Sequence, residues 1–338
     1  MDNYTKVSGF KKAIRSKAFT LIILSIGLIV LFTLLAPLNN GANFFTLRTF
    51  MSIMQDLAIP AFLAIGAGCL MVSGAIDLAQ ARIGALTGVI VAVGISWWGI
   101  SWPVAVILGL AAAAVFGLIN AILVNELNFQ PFIATMAMSS VAYAIIMLVE
   151  TDKNGQISGA VNFSSPTLTN FVNMKIGNNI PITAIILVIA FLIYGLVLSK
   201  TKFGRTLYLL GGNATAARLS GINSKRLSYF LFINCSVLGG ISGLIYACRG
   251  GQGSYMALST DQFTGLTAAI LGGISFGGGS GGMGGVFIAL LAIKIFNKGM
   301  TIIGASSYLT SVLSGALLLA ALSLDYVSQR RQQKRIGA

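Results

Sequence analysis

The chain has 338 residues, of which 56% are hydrophobic and only 9% are charged. Soluble domains are typically about 25% charged, so this composition excludes a soluble globular domain, a disordered chain and a nucleic-acid-binding domain. The net charge of +14 is instead typical of the cytoplasmic excess of Lys and Arg that orients membrane proteins.

Ten apolar runs predict ten membrane helices, and because the number is even, both termini are expected in the cytoplasm. We expect one all-α transmembrane domain over residues 1–338, with cytoplasmic tails at 1–18 and 326–338. The run 263–276 is short for a complete crossing and predicts a broken or tilted helix buried within protein. The predicted helices are 19–36, 50–72, 83–100, 102–124, 131–149, 181–198, 228–248, 263–276, 284–300 and 308–325.

The distribution of basic residues tests this layout. Sixteen Lys and Arg fall on the predicted cytoplasmic side and five on the outer side, as the positive-inside rule requires. The five on the outer side are Arg48, Lys153, Lys175, Arg249 and Lys298.

Ionisable residues inside a membrane are functional candidates, and this chain has few. Asp56 is expected near the outer end of the second helix, and Asp77 just past its inner end, where Arg82 is a plausible ion-pair partner. Either carboxylate is alternatively an ordinary interfacial or paired charge. The scarcity of mid-membrane carboxylates and the absence of histidine from the sequence disfavour a proton- or sodium-driven carrier and an intramembrane enzyme.

Two glycine patterns bear on nucleotide binding. The run 277–285 contains a formal G-x-G-x-x-G, but a dinucleotide site needs a preceding strand in a βαβ unit, so we interpret this run as a tight turn between membrane helices. No G-x-x-x-x-G-K-[ST] run occurs in the sequence. Any energy from ATP must therefore come from another subunit.

The predicted cytoplasmic loop 199–227 contains a short helix. Asn213 is a plausible N-cap, the stretch Ala214–Leu219 favours a helix, and Gly221 is expected to end it. Such a helix offers a surface for a soluble partner. The alternative is a solvated basic loop that only satisfies the positive-inside rule.

Four separated stretches resemble the membrane permease of ribose-type ABC importers, which carry simple sugars and related small polar solutes. The inner loop matches that family's G-R-x-x-Y-A-x-G-G-N-x-x-A-A-x-L-S-G-I pattern over 204–222, except that Leu209 replaces Ala. Residues 130–135, 268–279 and 303–308 resemble three further family segments in the same order. One departure lies at 79–82, where Ala-Gln-Ala-Arg replaces the usual Ser-Val-Gly-Ser.

This resemblance implies an ABC importer permease in a bacterial cytoplasmic membrane, with no enzymatic activity or cofactor of its own. Two permease chains, identical or closely paralogous, would form the core within the lipid. Separate cytoplasmic ATPase subunits would bind ATP, and an extracytoplasmic solute-binding protein would deliver the solute. The sequence does not separate a ribose-like sugar from nucleosides, branched-chain amino acids or a signalling sugar. An ATP-independent secondary carrier is the alternative from another class.

Three groups of residues follow as hypotheses, and none is catalytic or metal-binding. The expected ATPase-coupling group comprises Gly204, Arg205, Gly212, Asn213, Ala216, Ala217, Arg218 and Gly221. The expected translocation path includes Asp77, Phe132 and Thr135. Cations expected to pair with acidic groups on the binding protein are Lys153, Lys175, Arg249 and Lys298.

Overall fold

The computed structural model of the chain describes residues 17–40, 43–152, 154–177 and 179–316, together with 319 and 323. Within these residues the structure is predominantly α-helical, which confirms the predicted all-α membrane fold. The predicted cytoplasmic tails lie outside the described residues, apart from residues 17 and 18. The helices are α1 (Lys17–Asn40), α2 (Leu47–Val72), α3 (Gln80–Ser96), α4 (Trp102–Asn125), α5 (Pro131–Val149), α6 (Pro166–Asn173), α7 (Ile182–Lys200), α8 (Lys202–Gly212), α9 (Ala214–Leu219), α10 (Ser224–Gly250), α11 (Asp261–Leu271) and α12 (Met283–Ile302). The strands are β1 (Ala160–Asn162), β2 (Lys175–Ile176), β3 (Ile180–Pro181) and β4 (Gln252–Ser254).

Among the described residues, seven helices are long and apolar enough to cross a membrane: α1, α2, α4, α5, α7, α10 and α12. They coincide with seven of the ten predicted crossings. Helix α3 is apolar but has only 17 residues, and residues 307–316 begin the last predicted helix. Helix α11 has 11 residues, about 16 Å of helix against the roughly 30 Å of a bilayer core. The prediction that 263–276 is a broken crossing is therefore confirmed.

Helix α10 lies at the centre of the molecule, packed against α2, α3 and α4. Its approach to α3 depends on glycine, because a Cβ on Gly243 would collide with the carbonyl of Gly84. Small residues at membrane helix interfaces let the two backbones approach closely, and van der Waals packing then stabilises the pair. The large side chains of Phe232 on α10 and Leu70 on α2 are fully buried.

The connection between α2 and α3 is not a surface turn. Helix α2 ends at Val72 on the side that carries α8 and α9, which is the predicted cytoplasmic side; the Val72 carbonyl accepts a hydrogen bond from the N–H of Gly279 (2.9 Å). Residues 73–79, the inner re-entrant segment, then return into the interior, and α3 begins at Gln80 beside Gly239 of α10. Because Gly239 lies just past the middle of the 27-residue α10, α3 begins near the mid-depth of the membrane.

A second irregular segment, residues 251–260, follows the outer end of α10 and is here named the outer re-entrant segment. Its strand β4 pairs antiparallel with β1 of the outer loop, and Gly253 packs against Val89 of α3. Further along, the Tyr255 carbonyl accepts a hydrogen bond from Arg82, and α11 begins at Asp261. Irregular backbone is tolerated at membrane depth where it is buried in protein or lines a cavity. The inner re-entrant segment therefore enters the interior from one side of the molecule and the outer re-entrant segment from the other, and the two meet inside.

Candidate functional site

An interior groove runs along the place where the two re-entrant segments meet. It consists of two adjoining cavities, of about 510 Å³ and 400 Å³, which share Arg82, Ser139 and Ser259. Helix α5 supplies one wall through Phe132, Met136 and Ser139, which recur at helical spacing. The opposite wall comes from the outer re-entrant segment and α11. The groove is also lined by Leu78, Tyr143, Tyr255, Met256, Ala257, Gln262, Phe263, Leu266, Ile270 and Phe276.

The wall of the groove is held by a side-chain amide from α11. The Gln262 Oε1 atom accepts a hydrogen bond from the N–H of Ala81 (2.8 Å), and its Nε2 donates to the carbonyl of Asp77 (3.1 Å). The Gln262 side chain is buried, so water cannot replace either bond. One side chain therefore ties the start of α11 to the start of α3.

The sequence placed Asp77 just past the inner end of α2, and the structure agrees but turns this segment back into the interior. Asp77 lies in the inner re-entrant segment and is fully buried. Its carboxylate accepts hydrogen bonds from the N–H of Ala79 (2.7 Å) and from Nδ2 of Asn120 on α4 (3.3 Å). The hydropathy pattern gives no sign that this short segment folds back into the interior.

The other two predicted path residues lie on different sides of the wall. Phe132 lines the groove and is 52% exposed. Thr135 is buried behind the wall, where its Oγ1 accepts a hydrogen bond from the N–H of Leu78 (3.0 Å) and donates to the carbonyl of Pro131 (2.8 Å). Like Asp77, Thr135 holds the backbone of the inner re-entrant segment and does not line the groove.

The predicted ion pair between Asp77 and Arg82 is wrong, because the two side chains face different neighbours. Arg82 donates from Nη1 to the Tyr255 carbonyl (2.8 Å), and its guanidinium lies 4.9 Å from the centre of the Tyr143 ring. Asp77 faces Asn120 on α4 instead. Arg82 therefore contributes its charge to the groove.

Two of the four predicted docking cations share a carboxylate at the outer side. Arg249 bonds Asp56 at 2.6 Å, and Lys298 lies 3.9 Å from the same carboxylate while donating to the hydroxyl of Ser52 (2.7 Å). Lys175 lies on the exposed strand β2. The fourth cation, Lys153, lies outside the described residues. Asp56 thus neutralises part of the positive charge that the sequence suggested for this face.

A buried carboxylate lies at the outer end of α5. The Glu150 side chain is enclosed, and burial raises its pKa to about 7. Glu126 differs at the inner end of α4, where it is exposed and bonds Lys225 (2.8 Å). The hydrogen bond from Lys225 lowers the pKa of Glu126.

Helix α9, in the predicted cytoplasmic loop, forms as the sequence predicts. The Asn213 side chain accepts a hydrogen bond from the N–H of Ala216 (2.9 Å), and Gly221 ends the helix region with a φ of +79°. Ala217 is buried and anchors the helix, whereas the rest of α9 is exposed. Leu219 is 85% exposed and was not among the predicted coupling residues.

The predicted coupling residues outside α9 also divide into exposed and buried ones. Arg205 and Gly212 are exposed. Gly204 is buried, and a Cβ there would collide with the backbone of Leu198, so its role is to let α8 pack closely against α7. Ala216 and Arg218 lie on the exposed surface of α9.

Helix α8 connects α9 to the inner end of α2 and to the glycine-rich turn that follows α11. The Tyr208 hydroxyl donates to the carbonyl of Gly281 (2.7 Å) in the glycine-rich turn. A Cβ on Gly211 would collide with the Val72 carbonyl, so α8 also sits directly on the end of α2. A displacement of α9 would therefore reach the end of α2 and the glycine-rich turn through packed backbone.

The sequence is similar to bacterial sugar permeases along most of its length. The family model described as "Branched-chain amino acid transport system / permease component" matches residues 49–322. The ribose import permease protein of Escherichia coli (strain K12) is 30% identical over 306 residues, which cover 90% of this chain and 93% of that protein. The ribose import permease protein of Bacillus subtilis (strain 168) is 33% identical and is covered over 91% of its length, by 89% of this chain. The fructose import permease protein of Rhizobium meliloti is 28% identical over 91% of this chain and 84% of that protein. No solved structure gives a significant match.

Proposed function

Because the chain belongs to the family of branched-chain amino acid transport system permease components, and is a multi-pass protein of a bacterial cytoplasmic membrane, we propose that it is the membrane-spanning subunit of a binding-protein-dependent ABC importer. Its solute is a simple sugar, ribose-like, or a similar small polar molecule. The observation that carries this proposal is the interior groove, which joins two re-entrant segments and is mechanically linked to an exposed cytoplasmic helix.

The energy for transport comes from separate ATPase subunits that grip α9. This helix is exposed on all sides except at Ala217, so a partner can enclose it. Because α8 packs on Val72 and on the glycine-rich turn, a movement of the ATPase can be transmitted to the end of α2 and to the turn after α11. Asn213, Ala216 and Arg218 make the contacts, while Gly204 and Gly221 set the shape of the segment.

A second permease chain closes the groove. Large apolar side chains at its mouth are more than half exposed: Phe132, Phe263 and Phe276. Two facing copies would bury these rings and enclose a passage along the shared axis. The solute-binding protein docks at the outer face, where Lys175, Arg249 and Lys298 present positive charge, so its affinity should weaken as salt is raised.

The coupling role of α9 is tested by a matched pair of glycine variants. Gly221 (φ +79°) and Gly155 (φ +76°) both have left-handed backbone, and neither has an atom near its missing Cβ. A β-branched residue costs about 1–2 kcal/mol in this conformation, so Gly221→Val and Gly155→Val carry the same strain at opposite faces.

In proteoliposomes containing the complete importer, Gly221→Val should retain ATP hydrolysis but lose solute uptake. Gly155→Val, in the outer loop, should leave the ratio of ATP hydrolysed to solute transported unchanged. Normal coupling in Gly221→Val would contradict the role of α9. Uptake by the purified chain without any ATPase subunit would contradict the importer itself and favour a secondary carrier.

The family description supports one alternative solute class. Branched-chain amino acids are named in it, whereas the named activities of the relatives above concern sugars. Competition between labelled ribose and excess leucine for uptake separates the two. Displacement by leucine and not by sugars would contradict the sugar proposal.

A further inference from the structure

Arg82 differs from the other half-buried cations that the structure describes. Arg249 and Lys298 approach Asp56, and Lys294 approaches Asp261 at 3.5 Å. In the described part of the chain, no carboxylate lies within ion-pair distance of Arg82. A charge inside a membrane protein is costly and normally faces a partner or a cavity.

The cavity that Arg82 faces is the interior groove. The guanidinium lines both halves of it, between the inner and outer parts. One of its five N–H donors is used by the Tyr255 carbonyl, and the ring of Tyr143 covers one face of the group. These two contacts fix the guanidinium in place and leave further donors directed at a ligand.

The remaining lining suits a polyhydroxylated molecule. The hydroxyl-bearing residues Ser139, Ser140 and Ser259 line the groove together with Arg82. Tyr143 and Tyr255 lie edge to face (ring centres 6.0 Å apart) on the outer side and add an apolar surface. Asp77, the nearest carboxylate in sequence, is directed at Asn120 and does not line the groove.

We infer that Arg82 is a specificity-determining residue and that the transported solute is an acidic sugar, with a carboxylate that binds the guanidinium. This inference rests on the proposed function and, among the small polar solutes named there, selects an acidic sugar over a neutral, ribose-like one. A planar guanidinium matches a carboxylate through two parallel hydrogen bonds. Arg82 is the only cation among the lining residues, so it balances one negative charge. A carboxylate carries one negative charge, whereas a phosphate group carries more than one at neutral pH.

The test compares gluconate with glucitol, which has the same carbon chain but a neutral hydroxymethyl group in place of the carboxylate. Binding to the purified full-length chain in detergent is measured from the shift in the thermal unfolding midpoint, at matched ionic strength. Gluconate should bind at least about tenfold more tightly than glucitol, and this preference should weaken as salt is raised. Arg82→Gln should lose the preference and Arg82→Lys should keep part of it, whereas Arg48→Gln, at the outer start of α2, should keep all of it.

A second measurement uses the unaltered chain, so that it does not depend on the folding of a variant. Phenylglyoxal modifies arginine, and peptide mass spectrometry measures the fraction of Arg82 that has been modified. Gluconate should slow this modification and glucitol should not. Equal binding of the two compounds, an undiminished gluconate preference in Arg82→Gln, or equal protection from phenylglyoxal would each overturn the inference.

Uptake by the complete importer separates this inference from the proposed function. Loss of ATP-dependent uptake for acidic and neutral sugars alike would contradict the proposed function. ATP-dependent uptake of neutral sugars in preference to acidic ones would contradict only the role assigned to Arg82. Preferred uptake of acidic sugars that Arg82→Gln abolishes would support both.

Discussion

The amide of Gln262 ties the start of α11 to the inner re-entrant segment and the start of α3, and replacing it with leucine should loosen the interior of the protein. Gln262→Leu keeps a similar volume but removes the acceptor for the N–H of Ala81 and the donor for the carbonyl of Asp77. Leaving a buried polar backbone group without a partner costs about 1–3 kcal/mol. With two such groups, we expect a loss of about 2–5 kcal/mol in the free energy of unfolding.

The measurement is the unfolding of the purified chain in mixed micelles, followed by circular dichroism, with Thr264→Val as the control. Thr264 is on the same helix, but its exposed hydroxyl bonds only the carbonyl of Thr260 within the chain (3.2 Å). That variant should remain within about 0.5 kcal/mol of the parent. Gln262→Glu keeps the acceptor and loses the donor, so its stability should lie between those of the parent and Gln262→Leu.

If the free energy of unfolding of Gln262→Leu fell by less than about 0.5 kcal/mol, the bridging role of the Gln262 amide would be contradicted. Cysteine accessibility gives an independent measurement, since a loosened interior should admit a thiol reagent to Cys235, which is fully buried beside Gly66 and α3. Unchanged protection of Cys235 in Gln262→Leu would argue against loosening even if stability fell.

Three further predictions concern helix contact, capping and pH. Gly243→Ala should destabilise the chain by about 1–3 kcal/mol in the same unfolding assay, because its Cβ would collide with the Gly84 carbonyl; a neutral effect would contradict the close approach. Asn213→Ala should lose about 1 kcal/mol of helix stability at α9 and speed the hydrogen exchange of its amides, whereas Asn213→Asp should not; equal exchange in both would contradict the cap. Glu150 is easier to protonate in the folded state, so its contribution to stability is complete below the unfolded pKa of 4.5 and is lost as the pH rises through about 7. Glu150→Gln should remove that pH dependence from the unfolding midpoint, and an unchanged profile would contradict burial of the carboxylate.

Local signals in the sequence were sufficient for the cytoplasmic helix. An N-cap residue, a run of good helix formers and a glycine at a positive φ act within a few residues, and Asn213, α9 and Gly221 occupy the predicted positions. Leu219 was missed as an exposed residue because exposure depends on how the helix is anchored, and only the packing of Ala217 fixes that.

The path residues could not be assigned in this way. Asp77 and Thr135 were read as candidates from their polarity and neighbourhood, but both hold backbone behind the wall of the groove. Polarity and neighbourhood gave no reason to join Gln262 or Ser259 to Asp77, because they lie 185 and 182 residues further along the chain. Their contacts exist only because α3 and α10 run side by side.

Composition and local patterns in the sequence are sufficient to show that the chain is an all-helical membrane protein and where the short helix α9 begins and ends. Each of these follows from transfer free energies, charge counts or hydrogen bonds within one turn of helix, which neighbouring residues decide. Only the tertiary structure decided that two connections turn back into the interior and place Arg82, Gln262 and Ser259 around one groove. Buried irregular backbone needs hydrogen-bond partners from distant helices, and composition and periodicity do not encode which helices supply them.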